Sequence, residues 1–219
     1  MEKETRNVIA GLAALFSVLT PGLMPEVRSA DTQPDMKLIE KGRTLWLTVA
    51  GVGCAACHGR FGEGDVGIGP YNRGVGLSKI QAAIATVEQM RIVRGKLDMQ
   101  DIEAVAAYNS WLGQHQLVKT LLKRDRFDPS TVDIYPGTAV QLAINNSGQS
   151  QRKFAGPSME VAEFEIPGRT VHDFIWHAPE QEGAYTLRCT DCQGQNQEFT
   201  VNVRRSAKRY RGPEKPEKK

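Results

Sequence analysis

The order of apolar and polar residues divides the chain into two regimes. From Asp35 to about Thr48, Leu38, Ile39, Leu45 and Trp46 recur at i, i+1, i+7 and i+8, the spacing of one helical face. Asp98 to about Gln114 repeats the period more strongly, with Ile102, Val105, Ala106, Tyr108, Asn109 and Leu112 in phase. Asp98 is a good N-cap there, and Asp101 three residues on is a weak capping-box partner. Gly42 inside the first helix costs ~1 kcal/mol relative to alanine. It suggests close approach by another helix, with a tolerated defect as the bland reading; Ala104, Ala106 and Ala107 in the second helix would let the two cross tightly.

Beyond about Phe127 the period shortens to two. The stretches "TVDIYPG", "TAVQLAINNSG", "EVAEFEIPGRTVHDFIWHAP", "GAYTLRCTD" and "QEFTVNVRR" are rich in Val, Ile, Thr, Phe and Tyr, with Gly, Pro and Asn turns between them. They predict an all-β sandwich. "KTLLKRDRFDPST" switches composition and reads as a linker. The expected class is therefore α + β: an all-α domain over 35–122, a linker at 123–126 and an all-β domain over 127–204.

The N-terminus changes the compartment. Lys3 and Arg6 precede the apolar run Val8 to Leu19, which fits a signal-peptide core and falls short of the ~20 residues that span a bilayer. Pro21 and Gly22 follow, then small residues at Ser29 and Ala30. A signal peptide over 1–30 is expected, with an uncleaved anchor as the alternative; either exports the body to a periplasmic setting where disulfides are allowed. Net charge is +3, but the stretch from Arg204 to Lys219 holds eight Lys/Arg against two Glu, so the remainder is net acidic. That argues against a nucleic-acid groove. Residues 205–219 read as a disordered basic tail, with contact to an anionic membrane or an acidic redox partner as the functional reading.

The strongest chemical signal is "CAACHG", Cys54 to Gly59. Cys-x-x-Cys-His is the pattern of covalent c-type haem attachment. The spacing lets both sulfurs reach the two vinyl groups on one porphyrin edge, and the adjacent His58 offers its imidazole to the iron. A thioredoxin-like pair wants a βαβ context that is absent, and zinc needs four ligands. A sixth iron ligand is sought among Met90, Met99, Met159, His115, His172 and His177. Met90 sits in an irregular segment that can cross the far haem face, whereas Met99 falls in the first turn of the last helix.

At these residues the chain resembles class I c-type cytochromes, over about Met36 to Leu112. In that family the ligand methionine lies in a loop before the C-terminal helix. Met90 precedes "LDMQD" at Leu97 as that pattern expects, with Arg91 where proline is common. The resemblance extends to "GEGDVGIGPYNRG", with Gly62, Gly64, Gly69 and Pro70. It implies that the Pro70 carbonyl accepts a hydrogen bond from the His58 ring and fixes its orientation; the bland reading of Pro70 is a turn proline. Tyr108 and Trp111 are expected to fill the core between the terminal helices.

The second region resembles cupredoxins, closest to the copper domains of haem–copper oxidase subunit II and nitrous oxide reductase. Those families carry Cys-x-x-x-Cys-Gly-x-x-His-x-x-Met and an upstream histidine. Here "CTDC", Cys189 to Cys192, is one residue shorter, Asn196 and Phe199 stand where His and Met are required, and "NNSGQSQRKFAG" holds no histidine. His172 and His177 are five apart on a strand and point to opposite faces. Soft copper sites want thiolate and imidazole together, so copper is not expected. Cys189 and Cys192 are expected as a short disulfide, with free or exchanging thiols and a remnant metal site left open.

The function these patterns imply is periplasmic one-electron transfer by one covalent haem c, with the copperless sandwich docking to a redox partner or membrane oxidoreductase complex. No proton-transfer constellation is visible beside the haem motif, so an electron carrier is expected rather than an enzyme. The alternatives are a haem subunit with an open iron or a redox-active cysteine pair, and a structural or assembly subunit.

Overall fold

The structure is a computed structural model that describes residues 35–194 and 197–212. The expected signal peptide lies outside the described residues, as do Asn196 and the last seven residues of the tail. Among the described residues no helix is long and apolar enough to cross a membrane.

Helix α1 spans Met36–Thr48, and the Asp35 carboxylate caps it by accepting from the Lys37 and Leu38 amides. Helix α2 is the single turn Ala55–His58. Helix α3, Leu77–Thr86, was not singled out by the periodicity; it buries Ile80 and Ile84 on one face. A 3-10 segment, Glu88–Val93, leads to helix α4, Met99–Gly113. The expected capping box is present in full: Asp98 accepts from the Asp101 amide and Asp101 from the Asp98 amide.

Helices α1 and α4 cross where both are small. A Cβ on Gly42 would stand 2.0 Å from the Ala104 carbonyl oxygen and 2.9 Å from the Tyr108 Cβ. Beside this contact, Lys41 pairs with Asp101 at 2.8 Å. Trp46, Tyr108 and Leu112 fill the interface, each almost wholly buried.

The β region has two sheets packed on one apolar core. The first, in the order β2-β1-β4-β7, contains β1 (Gln116–Lys123), β2 (Arg126–Asp128), β4 (Ala139–Asn146) and β7 (Thr170–His177). The second, in the order β3-β9-β8-β5-β6, contains β3 (Thr131–Ile134), β5 (Arg152–Gly156), β6 (Val161–Ile166), β8 (Gly183–Cys189) and β9 (Glu198–Val203). Strand β4 explains how the sandwich meets the helices. Val140, Leu142 and Ile144 enter the core between the sheets. Gln141 and Ala143, on the opposite face, are buried too, because the helical part covers that side. A strand buried on both faces reads as a near-continuous apolar run, and "AVQLAI" is one.

Two boundaries differ from expectation. Residues 116–122 were expected in the helical domain and 123–126 in a linker. Instead, residues 116–123 form β1, parallel to β4 and antiparallel to β2. Arg124 and Asp125, both at positive φ, make the hairpin turn between β1 and β2. Two polar turn residues flanked by basic ones look like a linker in sequence, while the alternation of Val118, Thr120 and Leu122 into the interior is a strand period. The tail was expected to be disordered from residue 205. Up to Gly212 it packs back on the body: the Tyr210 hydroxyl donates to the Gly113 carbonyl at 3.0 Å, and the Arg209 guanidinium lies 5.1 Å from the centre of the Tyr135 ring.

Gly42→Ala is expected to lower stability by about 1–3 kcal/mol, since the added methyl meets backbone that cannot swing aside; a shifted denaturation midpoint in the full chain at unchanged m checks this. Lys41 holds the Asp101 carboxyl below its usual range. A depressed carboxylate contributes stability that is present above the unfolded pKa and lost as pH falls through the folded one. Asp101→Asn should therefore narrow the gap between stability at pH 6 and at pH 3, read by urea unfolding at the two pH values.

Candidate functional site

The short helix α2 carries Cys54 at its start and Cys57 and His58 within it. Its position is set from α1. The Trp46 indole donates to the carbonyls of Gly59 (3.2 Å) and Arg60 (3.0 Å), pinning the chain just past His58. Gly53 comes close to the end of α1: a Cβ there would lie 2.5 Å from the Trp46 carbonyl oxygen, at a φ of +71°. Only glycine suits that turn.

The loop from Gly59 to Gly76 then wraps under the histidine. His58 Nδ1 donates to the Pro70 carbonyl at 2.9 Å, the bond implied for this pair. The preceding Gly69 makes room for the ring, because a Cβ there would sit 2.6 Å from His58 Nδ1. With Nδ1 committed, Nε2 is the nitrogen left to ligate. His58 is 9% exposed.

Cys54, Cys57, His58 and Met90 all line one cavity of about 390 Å³. Its other walls are largely apolar, with Ile80, Ile84, Val87, Val93 and Val105 among them. Burial in this cavity pushes the Cys54 thiol up to about 11. Such a thiol stays protonated at neutral pH, which disfavours a reactive thiolate. Helix α3, missed in the sequence because it carries no chemical motif, supplies one wall of the cavity. The 3-10 segment supplies Met90. Of the other ligand candidates, Met99 is 55% exposed and accepts from the Gln81 amide, and it does not line the cavity. Met159 is buried in the sandwich core. His115 donates from Nδ1 to the Trp111 carbonyl at 2.7 Å, and burial lowers its pKa. His172 and His177 lie on β7 in the sandwich. The cavity fits a flat apolar macrocycle carrying a metal: it is apolar on its walls, has two cysteines at one edge, and has an imidazole and a thioether as its metal-binding groups. Two residues that line it, Asn72 and Asn109, each have a buried side-chain oxygen without a protein partner.

Tyr108 and Trp111 do fill the core beside α1, as expected. Tyr108 stacks on Trp111 with ring centres 6.0 Å apart and touches Trp46 at 6.3 Å.

In the sandwich, Cys189 and Cys192 form a disulfide. The pair is buried, and the Asp191 carboxylate beside it accepts from the Lys153 amide at 3.0 Å. Asp191 and the two sulfurs are close enough together to share a metal ion, but the sulfurs are bonded to each other and offer no thiolate. Phe199, one of the positions compared with copper ligands, is a core residue packed on Phe127.

No family model and no curated protein matches the sequence. Among solved structures the chain is similar to the metal-binding domain of the Cu(I)-exporting P-type ATPase CopA of Streptococcus pneumoniae, at 11% identity and TM-score 0.35 over 41% of this chain and 86% of that one. It is similar to auracyanin A, a blue copper protein of Chloroflexus aurantiacus, at 12% identity and TM-score 0.34 over 40% and 98%. It is also similar to the periplasmic domain of cytochrome oxidase subunit II of Bradyrhizobium japonicum, at 8% identity and TM-score 0.34 over 42% and 85%. The description of the β region as a sandwich rests on its own strand pairing.

Gly69→Ala is expected to push the His58 ring off the Pro70 carbonyl. In the full chain the Nδ1 proton resonance held by that bond should disappear or shift, while the sandwich resonances stay in place.

Proposed function

We propose that this chain is an exported electron-transfer protein that holds one haem c in the cavity between α1, α3 and α4. The observation that carries the reading is the meeting of Cys54, Cys57, His58 and Met90 on one apolar cavity, with His58 Nδ1 bonded to the Pro70 carbonyl. Cys54 and Cys57 would hold the group by thioether links, and His58 Nε2 and the Met90 sulfur would be the iron ligands. When bound, the haem supplies a one-electron ferric/ferrous couple, whose potential His/Met ligation raises.

The chain's own residues do the rest. The Pro70 carbonyl fixes the His58 ring in one orientation and makes its free nitrogen a better donor. The apolar walls contributed by α3 and α4 exclude water, which favours the less charged state of the site. Trp46 holds the cysteine turn against α1. No carboxylate, and no histidine other than His58, lines the cavity among the described residues.

The sandwich is read as the docking module through which the chain meets a redox partner or a membrane oxidoreductase complex, with the Cys189–Cys192 disulfide as a structural staple of the loop between β8 and β9. A periplasmic location agrees with the disulfide and with the export segment expected from the sequence.

The test is chemical. The mature chain should carry the extra mass of one haem after denaturation and keep it through acid–organic extraction. Met90→Ala should open the reduced iron to carbon monoxide, and Met99→Ala should leave it closed. Extraction of the haem would overturn covalent attachment, and carbon monoxide binding by the unaltered chain would overturn the Met90 ligand.

A further inference from the structure

A column of oxidisable aromatic rings runs from the cavity to the surface of α4. Trp46 lines the cavity, and its ring centre stands 5.9 Å from that of His58. Tyr108 follows at 6.3 Å from Trp46. Trp111 lies 6.0 Å from Tyr108, with the two planes only 18° apart. Each step is within the range of direct ring contact. Trp46 and Tyr108 are almost wholly buried, whereas Trp111 is half-buried and reaches solvent. We propose that these three rings form an electron relay. A diffusible inorganic radical, acting as a one-electron oxidant, is reduced at Trp111, and the electron is drawn through Tyr108 and Trp46 from the group held at His58. This relay, which rests on the haem reading of the cavity, adds to electron carrying a second function, the discharge of radicals.

Residue type is the first reason. Filling a core takes bulk, not ease of oxidation. In the sandwich most ring contacts are among phenylalanines, Phe127, Phe154, Phe164, Phe174 and Phe199, whose rings are hard to oxidise. Beside the cavity the same bulk is supplied by two indoles and a phenol, in unbroken contact from His58 to solvent. The chain has three tryptophans. Trp46 and Trp176 are buried, so Trp111 is the indole that a radical in solution meets.

The surroundings of the rings are the second reason. The Trp46 indole N–H donates to the carbonyls of Gly59 and Arg60. Carbonyl dipoles aimed at the ring favour the positive charge that develops on it when an electron leaves. Burial raises the pKa of the Tyr108 phenol. A tyrosine that keeps its proton is a poor resting place for a radical, so the Tyr108 ring is the bridge between two indole stations. The electrons balance. Trp111 gives one electron to the oxidant and regains one from Trp46 across Tyr108, and Trp46 regains one from the reduced iron. Any proton lost from Trp111 returns with the electron. The sum is one radical reduced and one ferrous centre made ferric, with the relay unchanged.

The haem content of the full chain is first read by mass. The reduced chain is then exposed to a pulse of azide radicals, which oxidise tryptophan ahead of tyrosine. Decay of the indole radical and appearance of the ferric spectrum are expected to share one rate that is independent of protein concentration. In the ferric chain, which has no electron to give, the indole radical should live at least tenfold longer. Trp111→Phe should remove the shared phase. Tyr108→Leu should slow it at least tenfold, while Tyr108→Phe, which keeps a ring in place, should retain it. A thermal melt and the haem spectrum check that each variant folds, and the half-buried Trp111 position decides the matter if Tyr108→Leu does not. A chain without covalent haem overturns the functional reading and the relay together. The relay alone is overturned by a haem-bearing chain with no concentration-independent phase, or by a radical that decays as fast in the ferric chain. Survival of the phase in Trp111→Phe, or equal rates in Tyr108→Leu and Tyr108→Phe, overturns it as well.

Discussion

The buried Arg73 guanidinium is the bond on which the arrangement of this molecule depends. It sits three residues past Pro70, in the loop that orients His58. From there it reaches the C-terminal end of α4 through the carbonyls of Leu112 and His115, and the sandwich through Gln141. Helix ends leave carbonyls without intrahelical partners, and Arg73 satisfies them while the chain turns from α4 into β1. A planar guanidinium can do this in several directions at once, which an ammonium cannot.

Gln141 passes the connection on. Its amide donates to Asp173 at 2.9 Å, and the other oxygen of Asp173 accepts from Arg43 of α1 at 2.7 Å. The loop, both terminal helices and the outer face of the first sheet are thus held by one continuous polar network. Lys119 on β1 adds ion pairs to Glu63 and Asp65 of the same loop. The consequence is geometric: the sandwich surface is fixed with respect to the cavity.

The cavity depends on a different constraint, the close approach of backbone to ring. Gly69 leaves room for His58, Gly53 lets the cysteine turn rest on the end of α1, and Gly42 lets α4 come near enough for Tyr108 and Trp46 to touch. Each is a place where one methyl group would meet backbone or ring atoms, and together they set the size of the cavity. Helix α3 adds a further apolar wall through Ile80 and Ile84, beside Ile92 and Val93 of the 3-10 segment.

Much of this was legible in the chain itself. Helix α1, helix α4 and the capping box at Asp98 followed from local pattern, because caps and helical period are short-range. The residues brought to the cavity, Cys54, Cys57, His58 and Met90, stood in motifs or at a set offset from one. The close crossing at Gly42 was one of two readings of a glycine inside a helix, the other being a tolerated defect, and the alanines of α4 were compatible with it. What the sequence did not reveal is what depends on partners distant in the chain. Strand β1 read as the end of a helical domain and a linker, since only pairing with β4 makes it a strand. The tail read as disordered because its composition is polar and basic, and nothing local announces the Tyr210 bond to Gly113. Arg73 carries no motif at all: a lone arginine in a glycine-rich loop becomes a structural centre only when three distant carbonyls and one amide converge on it. The sequence by itself determined the chemistry on offer and the short-range elements that carry it. Only the tertiary structure decided which buried polar groups meet, because burial is a property of the packed whole.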